Sequence, residues 1–399
     1  MDMKSNTLPD FNDTRTAFAW RSNLELIRTY QVFRLINLSW LVKFGTSMTT
    51  KLLDAGIRLP VVMAMRPTVY SIFCGGKSVE DANGTIRDLY KFGVETILDY
   101  GVEGKDNEAD FERTATEVMR AIDAAANDPA VNHISSKFTG LIGTHILEKL
   151  HKGEALSEAE KAEYIRAHDR IEKICAHAAL HKVRLFVDAE ESWIQQALDD
   201  LVEEMQKKFN KEQVIIFGTA QLYLKGRISY LTEAIEKAKT GGYLFAAKLV
   251  RGAYMEKERE RSKAMGYPDP IQPDKAATDL DYDKAVEIAL ENISQMAVCI
   301  ATHNESSCLK AVALMQQKNI SPSNSHVSFS QLLGMSDHIS FNLAAAGYKV
   351  SKYMPYGPVT DVIPYLVRRA QENTSVSGQM GRELSLLKIE IRRRKILIP

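Results

Sequence analysis

No stretch of the 399-residue chain approaches the roughly 18 uninterrupted apolar residues that a membrane-spanning helix needs, so any contact with a bilayer is expected to be peripheral. Net charge is missing too: 51 Lys and Arg balance 51 Asp and Glu, leaving no global field to recruit nucleic acid or an anionic surface. A site for an anion therefore has to be local. Cysteine is scarce, and Cys74, Cys175, Cys299 and Cys308 show no C-x-x-C spacing, which argues against structural zinc and a disulfide framework and suits a reducing cytosol. The amino terminus carries Asp2, Asp10 and Asp13 and has no apolar core segment, unlike a secretory signal or an acid-poor transit peptide. The expectation is a cytoplasmic bacterial protein.

Nucleotide and metal motifs are also lacking. No G-x-G-x-x-G follows the first strand-like run, so a Rossmann site is absent. The segment Cys74 to Ser78 (CGGKS) ends like a P-loop, but Ser71 stands where a Walker motif needs glycine, and a loop is the better reading. His177 and His181 are one helical turn apart with Cys175 close by, yet no third residue at a suitable spacing supports them, and no metal is assigned.

What is present is the composition of an ordinary globular chain, 45% hydrophobic and 26% charged. From Asn23 to about Asp54, apolar residues such as Leu24, Ile27, Phe33, Ile36 and Leu53 recur at mostly helical spacing. Residues 1–92 read as a helical arm. After Gly93, short runs rich in β-branched residues alternate with longer amphipathic segments, as in repeated βα units. The runs are Glu95 to Tyr100, His133 to Phe138, Val183 to Glu190, Val214 to Gln221, Tyr243 to Val250, Ala297 to His303, His326 to Gly334 and Lys349 to Gly357. Eight such units close a (β/α)8 barrel, which makes residues 93–399 a barrel domain; an open doubly wound sheet is the alternative. Insertions interrupt the alternation at Thr144 to Ala178 and Tyr254 to Thr278, and helices are expected over Val359 to Asn373 and the basic stretch Leu384 to Arg394.

In a barrel the chemistry sits at the carboxyl ends of the strands. Lys137 closes the second run, Asp188 lies near the end of the third, and Gln221 closes the fourth; Lys248 and Arg251 sit at the fifth, Thr302 and His303 at the sixth, and Gln331 at the seventh. Singly each could be a solvated strand end; together they describe a charged, donor-rich mouth. Arg368 and Arg369 lie near the end of the eighth helix, and adjacent helical residues point about 100° apart. Both reach an anion only if that helix packs across the top of the barrel; otherwise they are an exposed pair.

At Lys248 to Tyr254 (KLVRGAY), Ala301 to Asn304 (ATHN), Gln331 to Met335 (QLLGM), Tyr353 to Pro358 (YMPYGP) and Tyr365 to Asn373 (YLVRRAQEN) the sequence resembles the proline dehydrogenases, most of all their mitochondrial-type branch. The likeness extends with weaker stretches from about Ile97 to Asn373, and the helical arm carries little of it. It implies an FAD-dependent enzyme on a distorted (β/α)8 barrel of the α/β class, with the eighth helix over the carboxyl ends of the strands.

The resemblance also implies roles. Arg368, Arg369 and Lys137 would hold the carboxylate of L-proline, Asp188 would orient these cations and Tyr353, and Tyr254, Leu333, Tyr353 and Tyr365 would wall the ring. For FAD, Gln221 would meet the pyrimidine edge; Arg251 with the backbone of Gly252 and Ala253, Thr302 and His303 would hold other parts; Ala189, Gln331 and Glu372 would contribute to the same site. Lys248 stands at the reactive edge of the flavin where many bacterial relatives carry arginine, a point charge in place of a planar fork. The implied reaction is hydride transfer from the ring carbon beside nitrogen to flavin N5, giving Δ1-pyrroline-5-carboxylate, with electrons passed on to a membrane quinone. Peripheral membrane contact follows, and the basic carboxyl-terminal helix is its candidate.

Three alternatives stay open. A hydroxyproline dehydrogenase would share fold and cofactor, with Tyr353 as the discriminating residue because a phenol there crowds a ring hydroxyl. A lysine ending a barrel strand also suits a Schiff-base lyase, which would use Lys248 as an amine nucleophile. The third is a ligand-binding barrel without catalysis.

Overall fold

The β-branched runs and the amphipathic segments between them become alternating strands and helices in the computed structural model of the chain, which describes residues 8–37, 48, 59–101, 107–359, 361–363, 365–366 and 379–397. Helices α1 (Asn23–Ile36) and α2 (Val79–Tyr90) precede β1 (Val94–Tyr100); α3 (Glu108–Ala126) leads to β2 (Val131–Ser136). Helices α4 (Thr144–His151) and α5 (Glu158–His181) lead to β3 (Arg184–Val187), α6 (Ser192–Phe209) to β4 (Ile216–Gln221), and α7 (Arg227–Gly241) to β5 (Phe245–Val250). Then come α8 (Met255–Met265), α9 (Lys275–Glu291), β6 (Met296–Ala301), α10 (Glu305–Gln317), β7 (Val327–Leu332), α11 (Asp337–Ala345), β8 (Val350–Tyr356) and α12 (Gln379–Arg393). The eight parallel strands follow one another in chain order around a closed barrel, as the eight runs require, and the open sheet is set aside. Both insertions are helical, as α4 with α5 and as α8.

The described residues divide into two compact units, one holding Leu8 and 107–330, the other Pro9 to Gly101 and Gln331 to 397. In the first, Asn107 caps α3 by accepting from the Asp110 amide at 3.0 Å, and Phe111, Val118 and Ile122 bury its apolar face. A capping box of Ser157 and Glu160 starts α5, and Lys182, left-handed at φ 56°, ends it. The start of β4 is held by a buried amide: the Asn210 carbonyl accepts from the Ile215 and Ile216 amides at 2.9 and 2.8 Å, and its NH2 donates to the Ile216 and Leu244 carbonyls. Gln206 donates to the Ile216 and Ala246 carbonyls at 3.1 and 2.8 Å, tying β4 to β5 from outside the ladder.

The second unit pairs β1 with β8 in parallel from Val94 opposite Val350 to Tyr100 opposite Tyr356. Leu26, Phe33, Phe73, Val362, Leu366, Leu386, Leu387 and Ile391 share one apolar core, so the described part of the arm packs with the carboxyl-terminal helix. The carboxyl-terminal helix α12, the candidate for peripheral membrane contact, buries Leu386, Leu387 and Ile391 in this core, while Arg393 and Arg394 both bond Glu390. Among the described residues no helix is long and apolar enough to cross a membrane. The Gly75 amide donates to the Pro355 carbonyl at 2.9 Å, so the P-loop-like segment is an ordinary loop bound to β8.

A charged knot sits inside this unit. Asp337 accepts from Arg21 Nε at 2.9 Å and from Trp20 Nε1 at 3.2 Å and pairs with Lys352 Nζ at 2.9 Å, with all three charged side chains buried. Burial acts to raise the Asp337 carboxyl, but Lys352 and Arg21 outweigh it and hold the group below the usual carboxylate range.

Candidate active site

The polar strand-end residues of the first unit gather as the parallel topology demands. Lys137 follows β2, Asp188 follows β3, Gln221 ends β4, Lys248 sits two residues inside the end of β5, and Arg251 and Thr302 follow β5 and β6. Asp188 is the hub. Its carboxylate accepts from Lys248 Nζ and, at 2.8 Å, from Ser135 Oγ, and it faces Lys137 Nζ at 3.7 Å. Its amide donates to the Ser136 carbonyl at 3.0 Å, which fixes the turn after β3 against β2. Lys248 Nζ also lies over the Phe186 ring, 5.3 Å from its centroid. Two ammonium groups thus share one carboxylate, and cations of this kind are what the holder of a small anion needs.

Glu190 went unrecognised in the sequence. Buried in the β3–α6 connection, it accepts from Thr139 Oγ at 2.8 Å and from the Tyr254 hydroxyl at 3.0 Å. Its own amide donates to Gln195 Oε1 at 2.9 Å, and its carbonyl accepts from Gln221 Nε2 at 2.7 Å. Burial pushes the Glu190 carboxyl up to about 7, against the pull of Lys137 and the two hydroxyl donors. It thereby joins the segments that follow β2, β3 and β5 and orients Gln221. The only hint lay in the run Asp188, Ala189, Glu190, Glu191, whose two glutamates sequence alone could not rank. A second buried acid, Glu258 of α8, accepts from the Ser192 amide and hydroxyl, both at 2.6 Å, and locks α8 to the start of α6.

Arg251 is clamped. Its guanidinium donates to Asp279 at 2.7 Å, to Thr302 Oγ at 2.7 Å and to Ser307 Oγ at 3.0 Å, and it stacks 4.3 Å from the Tyr282 centroid. Asp279, Tyr282 and Ser307 come from α9 and α10 and were not foreseen; their helical positions carry no strand-end signal. Gly252 has φ +142°, and a Cβ there would meet the Tyr223 ring at 2.2 Å, so this glycine answers first to a close ring contact. Ala189, Ala253, Tyr254 and His303 are half-buried beside these residues in sequence.

In the second unit, the Leu333 amide donates to the Tyr353 carbonyl at 2.8 Å, which pairs two residues expected to wall the ring. Leu333, Tyr353 and Tyr365 are all buried, and Gln331 Oε1 accepts from Ser340 Oγ at 2.8 Å. Arg368, Arg369 and Glu372, with most of the helix expected over the strand ends, lie outside the described residues.

The donor set fits a flavin. A carboxamide, Gln221, ends β4; a buried ammonium, Lys248, stands at β5; a clamped guanidinium follows it. A pyrimidine edge alternates acceptors with one N–H and suits the amide, while the anionic groups of the cofactor suit the guanidinium.

The family model described as proline dehydrogenase matches residues 82–382. The chain is 34% identical over 412 residues to the hydroxyproline dehydrogenase of Xenopus laevis, covering 94% of this chain and 88% of that one. It is 44% identical over 241 residues to the mitochondrial proline dehydrogenase 1 of Homo sapiens, 60% of this chain and 40% of that protein. A solved structure of proline utilization A from Bdellovibrio bacteriovorus superposes with TM-score 0.71 over 89% of this chain and 37% of its own, at 21% identity, a likeness of fold. The matched stretches therefore cover less than half of the human and Bdellovibrio proteins, and most of the Xenopus one. By the match to more than half its length, this chain belongs to the proline dehydrogenase family.

Proposed function

We propose that the chain is an FAD-dependent oxidoreductase that oxidises L-proline to Δ1-pyrroline-5-carboxylate and passes the electrons to a quinone. The observation that carries the reading is the Lys137–Asp188–Lys248 cluster at the strand ends of a chain of this family. In this reading Lys137 binds the substrate carboxylate together with Arg368 and Arg369, and Asp188 positions the ammonium groups. Tyr254, Leu333, Tyr353 and Tyr365 hold the ring and exclude water. Gln221, Arg251, Gly252, Ala253, Thr302 and His303 bind the cofactor, with Ala189, Gln331 and Glu372 beside them, and Lys248 stands at its reactive edge. FAD, when bound, supplies the hydride acceptor. Residues 93–399 serve as the catalytic barrel and 1–92 as its arm, working in the cytoplasm in peripheral contact with the membrane that carries the quinone.

A Schiff-base role for Lys248 finds no support, since the ammonium donates to Asp188 and a neutral amine would forfeit that ion pair. Hydroxyproline oxidation is a second reading with an observation behind it: relatives of that name in Xenopus laevis and Bos taurus match nearly the full chain. The buried phenol of Tyr353 favours proline. Comparing kcat/KM for the two substrates tests this; a value for hydroxyproline equal to or above that for proline overturns the assignment.

A further inference from the structure

We propose that Asp123, His177 and His181 form a site for a divalent first-row transition ion, zinc foremost, that clips α3 to α5. The sequence shows the two histidines but no third ligand; helix packing supplies one, 54 residues away in the chain from His177. His177 Nε2 lies 2.7 Å and His181 Nε2 3.9 Å from the same Asp123 oxygen, and the imidazole centroids are 4.6 Å apart. One donor atom from each residue falls within 4.8 Å of the others. Zinc binds imidazole nitrogen at about 2.0–2.1 Å and carboxylate oxygen at about 2.0–2.2 Å, so two tetrahedral ligands stand about 3.4 Å apart. The observed separations bracket that value, and small ring rotations close the cage with water in the fourth position.

The donor set selects the ion. Two nitrogens and one carboxylate suit zinc, nickel or copper(II), whereas calcium and magnesium ask for all-oxygen shells. Cys175 lies on the same helix but is buried, and burial pushes its thiol up, so it stays outside the set. Elsewhere on the surface His168 meets Glu204 at 2.9 Å and His145 meets Glu163 at 3.7 Å, each a single imidazole with a single carboxylate and no chelate.

The location indicates the purpose. Asp123 lies three residues before the end of α3 and His181 is the last residue of α5, which puts the site at the strand amino ends, the face opposite the chemistry. An ion there stabilises the fold and takes no part in turnover.

The test is calorimetric titration of the full-length, flavin-loaded protein, stripped with EDTA, with zinc chloride. The wild type should bind one equivalent with a rise in Tm, and His177→Ala or Asp123→Ala should weaken binding about tenfold or more. His168→Gln should bind as the wild type does. Absence of a stoichiometric site, equal affinity in His177→Ala, or an equal loss in His168→Gln would each overturn the proposal. Zinc X-ray absorption of the wild-type protein needs no variant: scattering from two imidazoles is expected, and a shell of oxygens alone contradicts the site.

Discussion

The Glu190 carboxylate and the Tyr254 hydroxyl lie 3.0 Å apart, and that contact joins the turn after β3 to the loop after β5. Thr139 holds the other carboxylate oxygen at 2.8 Å, and Gln221 holds the Glu190 carbonyl. A residue proposed to wall the substrate and one proposed to meet the flavin are thus positioned by a single buried acid. Its charge state bears on Tyr254, which the carboxylate holds, while Gln221 is held by the backbone carbonyl.

Glu190→Gln tests this through pH. The carboxyl is pushed up to about 7 by burial, above an unfolded value of about 4.3. Raised in the fold, it contributes stability fully present below the unfolded value and lost as pH rises through the folded one. The wild type should lose up to about 3 kcal/mol between roughly pH 4.5 and 7.5, and the amide variant should lose markedly less. Tm measured across that range for both proteins checks it; parallel curves contradict it.

Asp188→Asn should cut kcat/KM for proline about 100-fold while the protein stays folded and yellow, because Lys137 and Lys248 lose their shared counter-charge. Adding Lys248→Met should cost less than the two single losses combined, since the residues act as one unit. Strict additivity in steady-state assays would separate them.

Gly252→Ala should destabilise by about 2 kcal/mol or more. The added Cβ would meet Tyr223 at 2.2 Å with φ at +142°. Tyr223→Ala in the same chain removes the clash but also a buried ring, so the double variant should lose less stability than the two single losses combined, which urea unfolding of the three variants checks.

Asp337→Ala should cost about 3–5 kcal/mol, the effect of leaving buried charges unpaired. Lys352 is fully buried and Arg21 nearly so. Urea unfolding, followed by far-UV circular dichroism, reads the loss.

Strand order was legible because each strand carries its own β-branched or aromatic run, and every run falls within three residues of the strand it became. The strand-end residues were legible for the same reason, since parallel strands put the last residue of each run at one face. Much of what escaped detection came from helices. Asp279 and Ser307 reach Arg251 from α9 and α10, and Asp123 reaches His177 from α3, and such partners depend on how helices pack around the barrel. Lys352 escaped as well: a lysine in the middle of β8 reads as a misfit until Asp337 and the arm residue Arg21 are seen around it.

The central claim is met most directly by an anaerobic titration of the purified protein with L-proline, followed through the visible spectrum. The account predicts a yellow protein whose flavin bands bleach as proline is added. Colourless protein, or flavin bands that proline leaves unchanged, would contradict it.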